Sequence, residues 1–493
     1  MKLSRTGFSP LVATYTFIFV MQAALVIFLV EVLQRARAEF QMKKSSDSSN
    51  LDDLPLVSAG DMEVSDLDSD TMEPTMVIPL EVEEPPVPTT SKAGTSLSKG
   101  EDLHSLSVAY LGPILQKLFN GAITLHFISL LITYTLAASE SYGQLMGLHL
   151  HWIWLSIPFV LIWSNVVIFG AKYLDPVISI FTFAKAGLLV LMVVITALVS
   201  ADVNQHISND WKYIGRPFLI GTVALGGCYN IIPVAFEKVR FHAKQIKIFT
   251  ACSLAGLTLV YLFNLAWCYF VLRIVPQMPS STTPAAQGAG EGEVMTLWDA
   301  EQQGQISTVP LVNIIRLDHP RFRWIATIVM LFTMVSITVS FIVNSMAWKH
   351  YVEGLLESWT PVKESANNYN NNNNGRIASF WRRTWLTIRN MPINWKRAVA
   401  FSVSFTFVLS VALFNPKSFL KIMEKVTSFA ANGTAAGVCW ILHRSRQVSP
   451  VLIPWSLPDV FWKARWPVMI FFLGAMLYNI VATITEAAGV TWL

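Results

Sequence analysis

Apolar stretches long enough to cross a hydrocarbon core recur along this chain, at roughly 8–33, 108–138, 150–171, 176–200, 217–237, 248–275, 322–347, 397–414, 418–442 and 466–489. About ten such segments in one polypeptide leave little choice of fold, because hydrocarbon offers no partner to a backbone N–H or C=O and each segment must satisfy its own as a helix. The expected class is therefore an all-α polytopic membrane protein, a helical bundle of about ten transmembrane helices. Composition agrees: 53% of residues are hydrophobic and 14% charged, well below the roughly 25% charged residues of a soluble domain.

Net charge is only +4 and is spread over loops, so no nucleic-acid partner is expected and the lipid bilayer is the partner that the composition requires. The basic residues have a topological use. They gather in alternate connections, at Arg35, Arg37, Lys43 and Lys44, at Lys238, Arg240, Lys244 and Lys247, from Lys349 through Arg397, and at Arg444, Arg446, Lys463 and Arg465. The positive-inside rule makes these connections cytosolic and both termini non-cytosolic. A non-cytosolic start directly before a span is unusual, and it raises the expectation that one helix is missing from the front.

Three regions follow from the pattern. Residues 1–35 hold the first transmembrane helix, and 36–105 form a disordered acidic cytosolic loop, rich in Ser, Asp, Glu and Pro and unable to bury enough apolar surface to fold. Residues 106–493 form the transmembrane core, with a cytosolic Asn-rich loop at 350–395. Within 276–321, the stretch MTLWDAEQQGQISTVPLVNII is expected to lie as a short helix over the outer mouth.

Motifs for enzymatic chemistry do not occur. The sequence lacks GxxxxGK[ST], GxSxG and HExxH, which argues against an ATP-driven pump and against an enzyme. The four cysteines, Cys228, Cys252, Cys268 and Cys439, form no CxxC or Cys/His spacing, and no metal or cofactor is expected. His149, His151, Trp152 and Trp154 read as an interfacial aromatic belt, and the glycosylation acceptor at Asn432 is discounted because it falls within a span.

The segment 217–237, PFLIGTVALGGCYNIIPVAFE, is apolar but broken at its middle by Gly226 and Gly227, with Pro233 beyond them. Glycines cost backbone entropy and proline removes a donor, so this helix is expected to be interrupted beside a cavity, unless the glycines serve only close packing.

Ionisable groups inside spans are costly and mark function. Lys185, in ISIFTFAKAGLLVLMVV, lies too deep to snorkel; its ammonium either takes part in proton movement or braces a helix. Glu140 reads as an interfacial carboxylate, Glu237 as a salt-bridge partner on the cytosolic side, and Glu486 as a surface residue without a role. Thr333, Ser336 and Ser340 share one helical face with Val343, where hydroxyls either meet a ligand or bond their own helix carbonyls. Thr133 and Tyr134 precede Glu140 by about two turns.

From the break onward, GTVALGGCYNIIPVAFEKVRFHAKQIKIFTACSLAGLTLVYLF resembles the sixth-helix region of the amino acid/auxin permease family, within the amino acid-polyamine-organocation superfamily. SVALFNPKSFLKIMEKVTSFAANGTAAGVCWIL resembles that family's late helices. The resemblance implies an inverted-repeat, LeuT-like bundle in which the first and sixth helices are discontinuous and bind substrate near the midplane. Carried onto this chain, it implies substrate contacts from Ala224, Leu225, Gly226 and Gly227, from Thr133 and Tyr134, and from Ser336 and Ser340, with Lys185 as the proton-coupling group. FLVEVLQRARAEF resembles the family's second helix, which leaves the first without a counterpart in this sequence.

What the resemblance implies is a multi-pass secondary transporter of amino acids, working by alternating access in the plasma membrane or an endolysosomal/vacuolar membrane. Its partners would be a small-molecule amino acid and a coupling proton, or sodium in its place. A non-transporting amino-acid sensor or scaffold is the alternative; a channel is disfavoured, since no ring of filter residues is visible.

Overall fold

The structure is a computed structural model describing residues 3–49, 102–147, 152–203, 205–278, 296–302, 308–318, 323–358, 393–414, 421–448 and 451–488. Helices dominate these residues and no strand occurs among them. Eight helices are long and apolar enough to cross a membrane among the described residues, so the chain is an all-α integral membrane protein.

In chain order the helices used below are α1 Phe8–Ser49, α2 Leu103–Tyr110, α3 Pro113–Met146, α4 Ser156–Phe169 and α5 Ala171–Val203. Next come α6 Gly215–Gly226, α7 Cys228–Phe236, α8 Ala243–Ile274, α9 Leu297–Gln302 and α10 Thr308–Asp318. The chain closes with α11 Arg323–Ser358, α12 Ile393–Phe414, α13 Ser428–Val448 and α14 Arg465–Ala487. Two helices that fall on predicted spans are not among the eight: α4 is short, and α13 carries Ser428, Asn432 and Thr434 along its buried face.

Local chemistry sets several of the ends. Asp102 caps α2 by accepting from the Ser105 amide at 2.6 Å and the Ser105 hydroxyl at 3.0 Å. Pro113 opens α3 at the position where its missing N–H costs nothing, and Gly147 closes it in the left-handed region at φ 71°. Lys349 donates to the last carbonyls of α4, those of Val167 and Ile168, where a cation meets the negative end of the helix dipole.

Two predicted boundaries move. Residues 36–49, expected within the disordered loop, extend α1, because Arg37, Glu39, Gln41 and the lysines are good helix formers, and Arg37 and Glu39 find partners. Arg37 donates to the carbonyls of Val239 and Glu237, and Glu39 accepts from the Tyr110 hydroxyl at 2.8 Å. Likewise α11 runs on to Ser358, past the predicted start of the Asn-rich loop. Residues 50–101 of the acidic loop and the asparagine tract lie outside the described residues.

Helix α13 packs against both α1 and α3 at the centre, with α6 against α1 and α13, α7 against α1 and α11, and α11 against α3 and α5. The most apolar window of α3 is 67% buried and that of α6–α7 is 61% buried, against 17% for α5 and α8, which identifies α5 and α8 as the lipid-facing rim. Over the end opposite the basic connections, α10 packs against α11 in the segment predicted to lie over the outer mouth.

One ionic cluster ties the first helix to the last third of the chain. Glu31 on α1 is fully buried, and Arg446 at the end of α13 grips it with both nitrogens, at 2.6 and 2.9 Å. Arg35 adds a third contact at 2.9 Å and the Leu457 amide a fourth at 3.2 Å. Nearby, Gln34 accepts from the Trp455 amide, so the connection leading to α14 is stitched to α1. Removing one member of such a cluster strands a buried charge, which costs about 3–5 kcal/mol. Arg446→Ala should therefore lower the thermal stability of the detergent-solubilised protein sharply, and Glu31→Ala comparably, whereas exchanging exposed Arg444 should leave the melting temperature within a degree or so.

Candidate functional site

Lys185 lies midway along α5, and its side chain turns from the lipid-facing rim toward α11. The ammonium donates to the Ser340 hydroxyl at 3.0 Å and, at the limit of hydrogen bonding, to the Ser336 carbonyl at 3.5 Å. Tyr134 of α3 lies beside Ser340. The serine hydroxyl thus joins α5 to α11 at the half-buried ammonium, with α3 alongside. The ring of Tyr134 packs in turn on Leu130, Val223 and Ala431, so it spans from the Lys185 site to the helix that carries the interruption.

That interruption is narrower than the sequence predicts. Gly227 stays in the right-handed region at φ −61°, ψ −15°, and the helix lapses for this single residue between α6 and α7 rather than unwinding. The two glycines divide the two roles weighed for them. A Cβ on Gly226 would stand 3.0 Å from Gln22 Nε2, so this glycine admits α1 to close contact; a Cβ on Gly227 would meet nothing within 4 Å. Pro233 removes the donor that the Tyr229 carbonyl would otherwise take, which weakens α7 one turn further on.

Not every predicted contact joins the site. Ala224 is exposed and Leu225 buried, and Thr133 gives its hydroxyl to its own helix at the Ser129 carbonyl, 2.7 Å away. Ser336 takes part through its carbonyl toward Lys185, and Thr333 bonds the Val329 carbonyl. Glu140 is buried near the end of α3. Glu486 forms an ion pair with Lys425 and lies 3.8 Å from Arg216, so it belongs to a charged cluster rather than standing as a plain surface residue. His149 and His151 lie outside the described residues.

Two polar clusters escape sequence reasoning. In the first, His126 of α3 receives the Asn230 amide on Nε2 at 2.8 Å and lies 3.3 Å from the Tyr229 hydroxyl, which also reaches the Ala431 carbonyl. In the second, buried Asn432 donates to the Thr222 hydroxyl at 3.1 Å and to the Ser428 carbonyl at 2.8 Å. Thr222 and Ser428 meet at 3.2 Å, pinning α6 to α13. The signal for both was present, since His126, Thr222 and Asn432 are polar residues in apolar runs, and such residues bond across helices. A π-helical turn, Ile422–Thr427, leads into α13 beside them, and the Asn479 amide bonds the Lys425 carbonyl at 2.8 Å.

Beside α7, a cavity of about 40 Å³ is lined by Asn230, Pro233, Val234 and Glu237 together with Asp102, His350 and Tyr351. It has room for a few waters and none for an amino acid.

No model of a known protein family matches the chain, and no curated protein matches it.

The Lys185–Ser340 contact makes a thermodynamic prediction. Ser340→Ala leaves a buried ammonium short of its hydroxyl and should cost about 1–3 kcal/mol of stability. Lys185→Met, which fills similar space without charge, should cost less or stabilise, and adding Ser340→Ala to Lys185→Met should cost much less than it does alone. Thermal melts of the four proteins form the cycle; additive effects would contradict the contact.

Proposed function

We propose that this chain is a secondary active transporter that moves amino acids by alternating access and couples them to protons. The observation that carries the reading is the ammonium of Lys185, buried against Ser340 and connected through Tyr134 to the interrupted α6–α7 helix. A buried lysine exchanges its proton readily when its surroundings change, since its charge is costly there and its partner is a neutral hydroxyl. Movement of α5 or α11 that breaks the 3.0 Å contact would favour the neutral amine, and re-forming it would favour the ammonium.

In this reading the substrate lies by Gly227, where the helix ladder lapses and space remains beside the backbone, with Tyr134 facing it. Backbone groups freed at a helix interruption suit the carboxylate and amino group that all amino acids share. The lapse at Gly227, the eight helices long and apolar enough to cross a membrane among the described residues, and the sequence resemblance support an inverted-repeat bundle of the amino acid/auxin permease kind. The small cavity accords with an occluded or closed conformation, in which substrate waits on a rearrangement.

Uptake of a labelled amino-acid panel into proteoliposomes tests the proposal. An inwardly directed proton gradient should raise accumulation of at least one amino acid, and Lys185→Met should abolish that gradient-driven gain. Binding of an amino acid without flux at either pH would mark a sensor or scaffold instead, and neither binding nor flux would reject both readings.

A further inference from the structure

The cavity beside α7 brings together ionisable groups from three separate elements: Asp102 at the cap of α2, Glu237 just past the end of α7, and His350 on α11. It lies at the end of the bundle that carries Arg37, Lys238 and Lys349, the cytosolic end by the positive-inside rule. A few waters' worth of space among two carboxylates and an imidazole is already unusual inside a membrane bundle.

A second observation concerns Asn230, which is 3% exposed and lies on the cavity wall. Its amide nitrogen is given to His126, while its Oδ1 has no hydrogen-bond partner within the protein. A buried acceptor left unmatched costs about 1–3 kcal/mol, so the wall calls for a donor inside the cavity. The acceptors around it, Asn230 Oδ1 and the carboxylates of Asp102 and Glu237, select a small species rich in O–H donors.

Asp102 is held in this place by close fit. Its carboxylate touches the position a side chain would take at Gly354 of α11, so only glycine there admits it. Burial pushes the Asp102 carboxyl above the usual carboxylate range, with the Ser105 hydrogen bonds and His104 opposing the rise. The other charged groups facing the cluster are Lys349 and Glu353 beside His350 on α11, Arg397 of α12, which reaches Glu353 at 3.7 Å, Arg37 of α1, which donates to the Glu237 carbonyl at 3.2 Å, and Lys238, next to Glu237 in the chain.

We propose that this cavity is a proton-storing site, in which Asp102, Glu237, His350 and the enclosed water share one excess proton at the cytosolic end of the bundle. The step is a proton transfer alone: a carboxylate oxygen or imidazole nitrogen accepts H⁺ from a hydronium ion, leaving water, and returns it to cytosolic water later. Its place in the transport cycle rests on the reading above. Ser340, which holds Lys185, and His350 lie ten residues apart on the same helix, about 15 Å along its axis, which sets the cavity on the cytosolic side of the lysine.

Infrared difference spectroscopy of the full-length protein in liposomes, titrated from acidic to neutral pH, reads the site without reference to transport. Wild type should show a protonated-carboxyl band that disappears as pH rises. The band should be lost in Asp102→Asn or in Glu237→Gln, and retained in Lys185→Met. Asp102→Asn keeps a cap for α2, and thermal melting identifies a variant that has merely unfolded. Absence of any titrating carboxyl band in wild type, or a band unchanged in both variants, would overturn the proposal. A wild type with the band but without amino-acid flux would support the storage site and reject the transport reading alone.

Discussion

A lysine ammonium inside an apolar bundle has to place its protons on something, and here the receiving group is a single serine hydroxyl with a distant backbone carbonyl behind it. That contact organises the surrounding structure. It draws α5 inward from the lipid-facing rim onto α11, and through Tyr134 it connects both to α3 and to the helix interrupted at Gly227. A carboxylate partner would have held the charge firmly; a neutral hydroxyl holds it weakly. In the proposed cycle, that difference would allow the group to lose its proton when the helices shift.

The opposite strategy is used where the bundle must stay together. Glu31 is met by two guanidinium groups and a backbone amide, a cluster that costs much to break. The Thr222–Ser428–Asn432 network likewise fixes α6 to α13 with neutral groups. The α1–α13 side thus carries saturated contacts, while Lys185 and Asn230 are met by fewer partners.

Much of the architecture was legible in the sequence because the bilayer imposes it: an apolar run of about 20 residues has one low-energy conformation in hydrocarbon. Outside the bilayer that constraint lapses. The charged continuation of α1 to Ser49 read as loop, although its residues are sound helix formers, since the partners that anchor it, Val239, Glu237 and Tyr110, are far away in sequence. Lys185 and Ser340 were each visible as costly or polar residues in spans, but their meeting depends on how α5 rotates against α11, which periodicity alone does not fix. Thr133 shows the reverse case, a hydroxyl on a promising face that is satisfied by its own helix. The pair Gly226–Gly227 permits unwinding without requiring it, so the helix lapses only at Gly227. A histidine in an apolar run is itself a costly polar residue, but the partners of His126, Tyr229 and Asn230, are about a hundred residues away in sequence.

The central claim is that amino-acid movement and proton movement share one site. Proteoliposomes loaded with a pH-reporting dye, at equal pH inside and out, test it most directly when an amino acid that accumulates is added outside. The account predicts that the lumen acidifies as the amino acid enters and that Lys185→Met removes this acidification. Entry of the amino acid with no change in lumenal pH would contradict it.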